Sequence, residues 1–202
     1  DEYLHILNTD VPETLQETKD VFLLQCSFGC RIGDFSSLSY DNISVENGIP
    51  YIHYLPKKTS NTGRERKEVQ TPIIKRSLET IEKYNFNFPI LKYISGERGY
   101  NAKIKQLLAF CKIDRFISEF DEVSGVNEYK PIHENSSSKI ARKTHIDMLN
   151  KVQIDQYAAG LHKEGSKAVN RYTHLSISDR FVLMCAAFED TPYKVDNDLN
   201  VI

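Results

Sequence analysis

The side chains best suited to chemistry in this sequence are cations and one phenol, spread along most of its length. Arg31 follows a glycine corner in Phe28-Gly29-Cys30-Arg31-Ile32-Gly33-Asp34-Phe35-Ser36-Ser37-Leu38, and Lys57-Lys58-Thr59 opens a polar stretch that also carries Arg64, Arg66 and Lys67. Lys139, Arg142 and Lys143 fall within Ser138-Lys139-Ile140-Ala141-Arg142-Lys143-Thr144. His162 follows Gly160-Leu161, and Tyr172 stands ten residues beyond it. Such a set suits attack on a phosphodiester, which passes through a pentavalent phosphorus with extra negative charge. Either metal ions or fixed cationic donors must stabilise that charge. No carboxylate cluster with metal-ligand spacing is evident, whereas arginine offers a planar fork that binds phosphate oxygens bidentately and stays charged.

Each segment also has an ordinary structural reading. Gly29 lets the backbone turn tightly, and a short acid at Asp34 can hold the start of the next helix or orient the Arg31 guanidinium; an Arg31–Asp34 surface pair explains the same residues. Lys139 and Arg142, three apart on a helix, share a face and can meet one phosphate, or simply rest on solvent. Lys57, Lys58, Arg64, Arg66 and Lys67 make any exposed hairpin basic. A lone histidine after a glycine is most often a loop residue, and most tyrosines are core aromatics.

In their order and local contexts the segments resemble the signature boxes of the tyrosine recombinases, the phage and transposon integrase family, over about Leu4 to Tyr172. The resemblance implies that Arg31 and Arg142 are the catalytic arginines and Tyr172 the nucleophile. Lys58, with Lys57 as its rival, is then the hairpin lysine that gives a proton to the leaving 5′ oxygen, and His162 bonds a non-bridging oxygen or manages the phenol's proton. Two departures stand out. Lys139 occupies the place of the usual histidine, which leaves open whether it acts as acid–base or as phosphate ligand, and Gly160 and Leu161 are in swapped order. His133 and His145 lie nearby but take no role by resemblance. A phenol has a reference pKa of about 10, so Tyr172 needs help in losing its proton, from the phosphate or from Lys139 or His162.

The implied activity is site-specific DNA recombination or integration through a 3′-phosphotyrosyl intermediate, needing no metal and no cofactor. The implied partners are double-stranded DNA, contacted also by Lys57, Arg64, Arg66, Lys67 and Lys143, and further copies of the chain in a tetramer. The family's N-terminal core-binding domain is missing, so the chain is expected to be a fragment. Alternatives are a type IB topoisomerase and a degenerate integrase module that holds DNA without cutting it.

The elements that must position these residues read as mainly α with a small antiparallel β-hairpin or sheet, an α+β pattern whose resemblance is to the recombinase catalytic domain. Pro12 and the apolar positions Leu15, Phe22, Leu23 and Cys26 predict a helix over 11–28, closed by Gly29. A short helical segment is predicted over 32–38, strands over 49–54 and 69–73 joined by a polar turn containing Gly63, and helices over 73–84 and 101–111. A small hairpin is expected around Ser124-Gly125, then helices over 136–149, 154–159, 166–172 and 177–188. Residues 1–188 form the expected catalytic domain. The polar tail 189–202 is expected to be loose or to dock on a partner.

Composition bounds the reading. With 40% hydrophobic residues among 202, the chain can bury a sizeable core. A net charge of -2 gives no global attraction to nucleic acid, so any DNA contact rests on local clusters. Cys26, Cys30, Cys111 and Cys185 form no CxxC pair and read as buried thiols. No apolar run is long enough to span a membrane and no signal-like leader is evident, so a cytoplasmic protein is expected.

Overall fold

A computed structural model describes residues 2–57, 67–88, 96–121, 125–152 and 175–202. The fold is mixed α+β, and the chain divides into two compact units: residues 1–23 with 88–140, and 24–87 with 141–202.

In the first unit, α1 (Glu2–Asn8) buries Tyr3 and Ile6. α2 (Glu13–Phe28) begins here, after Pro12, whose carbonyl accepts from the Leu15 amide at 2.8 Å. α5 (Gly96–Phe110) buries Tyr100, Ile104, Leu107 and Leu108, a helical stripe. The His5 ring is tied to the Cys111 carbonyl at 2.8 Å. β4 (Phe116–Asp121) and β5 (Val126–Pro131) pair antiparallel, and α6 (Ile132–Asn135) follows.

The second unit holds the sheet β1–β2–β3, formed antiparallel by β1 (Ile43–Glu46), β2 (Ile49–Tyr54) and β3 (Val69–Pro72). Asn47 and Gly48, both at positive φ, make the two-residue turn that joins β1 to β2, with Glu46 opposite Ile49. The unit also holds α3 (Ile32–Phe35), α4 (Lys75–Tyr84), α7 (Lys139–Lys151, in this unit from Ala141) and α8 (Ile177–Ala187), the last packed against β2 and β3. α8 starts in a reciprocal cap between Ser176 and Asp179. Ile52, Ile73, Ile74, Leu78, Leu149 and Phe188 are almost wholly buried.

β2 ends at Tyr54, as the sequence predicts, so Lys57 lies beyond the strand, after Leu55 and Pro56. Other features differ from the sequence expectation. The hairpin of β2 and β3 gains β1 as a third strand. α3 is shorter than the expected 32–38. The segment 189–202 is held on the second unit: Tyr193 donates its hydroxyl to the Ile73 carbonyl at 2.7 Å, and the Val195 amide donates to the Gly48 carbonyl at 2.8 Å. Its polarity reflects backbone and side-chain bonding, which composition does not reveal. The helices expected at 154–159 and 166–172 lie outside the described residues.

Candidate functional site

The site is built on the corner at the end of α2. The last turns of that helix are buried on every side, from Val21 to Cys30, and Gly29 ends it in the left-handed conformation at φ +64, its amide still bonded to the Gln25 carbonyl at 3.0 Å. Arg31 then stands at the N-cap of α3, its carbonyl accepting from the Asp34 and Phe35 amides at 3.0 and 2.8 Å. The Arg31 side chain is exposed and, among the described residues, has no hydrogen bond or ion pair. In particular, no Arg31–Asp34 ion pair forms.

Asp34 points elsewhere. It is 4% exposed, and its carboxylate accepts from the backbone amide of Lys57 at 2.9 Å. One buried acid thus fastens the start of the lysine-bearing segment to the helix that begins at Arg31. A buried carboxylate bonded to an amide is a strong tether, because losing the partner would leave a charge uncompensated.

Arg142 joins the same corner from α7. Half-buried, it donates from Nη1 to the Gly29 carbonyl at 2.9 Å, a contact across 113 residues of sequence. Burial lowers its pKa first and the nearby Arg31 charge second, while Tyr54, Cys30 and Asp34 act the other way. A guanidinium so perturbed remains charged near neutrality. Two like charges held near one another at a half-buried place repel, and an anion placed between them removes that cost.

Tyr54, at the end of β2, completes the cluster. Its phenol is pushed far above the ordinary value, chiefly by burial, then by Cys30 and Asp34, against the opposing pull of Arg142 and Arg31. The Cys30 thiol is likewise pushed up, first by burial and then by Asp34, so it stays protonated and inert. Behind the corner, His145 is wholly buried with its pKa depressed to about 4, mainly by burial.

Of the residues expected from the sequence, Arg31, Lys57 and Arg142 are brought to this one corner. Lys139 and Lys143 are exposed on α7, and Lys67 is exposed shortly before β3. Lys58, Arg64, Arg66, His162 and Tyr172 lie outside the described residues. Tyr54 and His145 were missed as parts of the site. Tyr54 gave no signal beyond β alternation, whereas His145 stands three residues after Arg142 and so on its helical face.

Among the described residues no group of three or more histidine, cysteine, aspartate or glutamate side chains is placed to hold a metal ion. Nor is any helix among them long and apolar enough to cross a membrane. Comparison of the chain with known protein families, with characterised proteins and with solved structures finds no match.

Proposed function

We propose that the chain is the catalytic domain of a tyrosine recombinase, cutting and rejoining DNA through a covalent bond between Tyr172 and a 3′ phosphate. The observation that carries the reading is the meeting of Arg31 and Arg142 at the Gly29 corner, with the lysine-bearing segment tied to the same place through Asp34. A transferring phosphate needs fixed donors on more than one side, and two guanidinium forks with a neighbouring lysine segment supply them without a metal. The order of the sequence boxes supports the rest: Lys58 as proton donor to the leaving 5′ oxygen, His162 as a phosphate or proton partner, and a recombinase-like catalytic fold. The proposed substrate is duplex DNA, and strand exchange between two duplexes calls for several copies of the chain. Lys139 stands exposed at the first residue of α7.

In the proposed step the Tyr172 phenolate oxygen bonds to phosphorus, the bond to the 5′ oxygen breaks, and a proton from the lysine segment neutralises that oxygen. Rejoining reverses these events with a hydroxyl from another strand. The test is trapping on nicked duplexes of randomised sequence, whose short cleaved strand diffuses away. The native chain is expected to give a covalent protein–DNA adduct, and Tyr172→Phe none. Absence of adduct from the native chain points to a module that only holds DNA. Relaxation of supercoiled plasmid without exchange between two sites points to a topoisomerase.

A further inference from the structure

His145 is the one wholly buried histidine described in the second unit, and its ring lies against the corner that carries Arg31. Its Nδ1 is 2.8 Å from the Cys26 carbonyl oxygen, and its Nε2 is buried without a hydrogen-bond partner among the described residues. A carbonyl only accepts, so Nδ1 carries the hydrogen and Nε2 presents a bare lone pair. The ring also stands directly on the α-carbon of Gly29: a β-carbon there would come within 2.6 Å of Cδ2 and 2.7 Å of Cγ. From three residues earlier on α7, Arg142 holds the carbonyl of that same glycine. Ring and guanidinium therefore grip one residue, two positions before Arg31.

Resting on the reading of Arg31 and Arg142 as a phosphate site, we propose that His145 is a positioning residue for that pair, its neutral ring keeping the Gly29 corner in register with Arg142 and its protonation releasing the corner. The groups that face the ring come from three elements. Arg142 faces it from its own helix and is cationic. From α2 come the backbone of Cys26 and Ser27, together with the Cys26 thiol, which burial keeps protonated. Beyond α8 the Phe188 ring packs at 5.7 Å between centroids. Among the described residues, no carboxylate contributes to the His145 shift. The backbone of Cys26 and Ser27 favours the protonated ring, but burial outweighs it, and a proton added at the unpartnered Nε2 also sits near the Arg142 charge. The added positive charge consequently weakens anion binding by disordering the corner, where simple charge addition would strengthen it.

Sulfate is the probe, because it stays doubly charged across the range tested. The Nε–H resonances of Arg31 and Arg142 are followed by NMR while the chain is titrated with sulfate near neutrality and at about pH 3.5. The native chain is expected to lose about fourfold in sulfate affinity on acidification, since a ring with a pKa of about 4 is then mostly protonated, and His145→Asn, whose amide keeps the bond to the Cys26 carbonyl but does not titrate, to change by less than about twofold. Native affinity that holds or rises in acid overturns the proposal, as does an equal loss in His145→Asn. If that variant does not fold, the His145 ring nitrogens of the native chain serve instead: the loss of sulfate is expected to share their titration midpoint, and separate midpoints overturn the proposal. No response of either arginine to sulfate at neutral pH sinks the phosphate-site reading itself, whereas binding indifferent to His145 sinks only this inference.

Discussion

Arg76 and Arg31 show two uses of one side chain within the second unit. Arg76 spends its guanidinium on the chain itself: Nη1 donates to the Phe188 carbonyl at 3.1 Å, Nη2 to the Glu189 carbonyl, and Nε lies 3.8 Å from the Asp190 carboxylate. Arg31 has no such acceptor among the described residues, is exposed, and its charge lowers the pKa of Arg142. The first arrangement closes the fold by pinning the end of α8 to the start of α4. The second gains nothing for stability, since repulsion between cations opposes folding. An arginine kept beside another cation, on a corner fixed by a buried acid and a buried histidine, fits a site that waits for an anion.

That contrast can be broken experimentally. Arg31→Ala is expected to slow adduct formation on nicked DNA by about 10²–10³-fold or more while leaving the thermal midpoint unchanged. Near-native cleavage in single-turnover assays would place Arg31 outside the chemistry. Gly29→Ala strikes the corner itself. A β-carbon at φ +64 is strained, and it also collides with the His145 ring, so a loss of about 2–4 kcal/mol in denaturant unfolding is expected. A neutral result would mean that the corner is far looser than its contacts imply.

The acid response is next in size. The folded pKa of His145, about 4, lies below its ordinary 6.5, so as pH falls the unfolded chain takes up the proton first. The stability linked to this group is complete above about pH 6.5 and is lost progressively down to about pH 4, with a slope approaching 1.4 kcal/mol per pH unit. Unfolding curves for the native chain and His145→Asn should diverge in that window, and parallel curves would remove His145 as the cause. The smallest effect belongs to Arg76→Ala. It should cost about 1–2 kcal/mol, partly exposed as the bonds are, and leave adduct formation per folded molecule unchanged. A cleavage defect there would erase the distinction between the two arginines.

The sequence disclosed the local half of this organisation. Pro12 and Gly29 mark α2 because each acts through its own backbone geometry. β1 escaped notice although Asn47-Gly48 is the strongest short hairpin signal, since a strand as short as Ile43–Glu46 shows too little alternation to stand out. The convergence of Arg31 with Arg142 was legible only as an order of boxes; its physical cause, a side-chain bond to the Gly29 carbonyl, spans 113 residues. Asp34 read as a partner for Arg31, yet its carboxylate binds the Lys57 amide, because a buried acid must have a hydrogen-bond donor and this one comes from 23 residues away. Tyr54 owes its setting to packing between distant elements, which no spacing rule encodes, and the spacing of His145 from Arg142 gives a shared helical face but not the bond to the Cys26 carbonyl.

The most direct measurement is a double-variant cycle on the rate of adduct formation, comparing Arg31→Ala, Arg142→Ala and both together. Two guanidinium groups serving one phosphate should be strongly coupled, so the double variant is expected to be little slower than the slower single one. Losses that simply multiply would show that the two arginines act at separate places, contrary to a shared phosphate at the Gly29 corner.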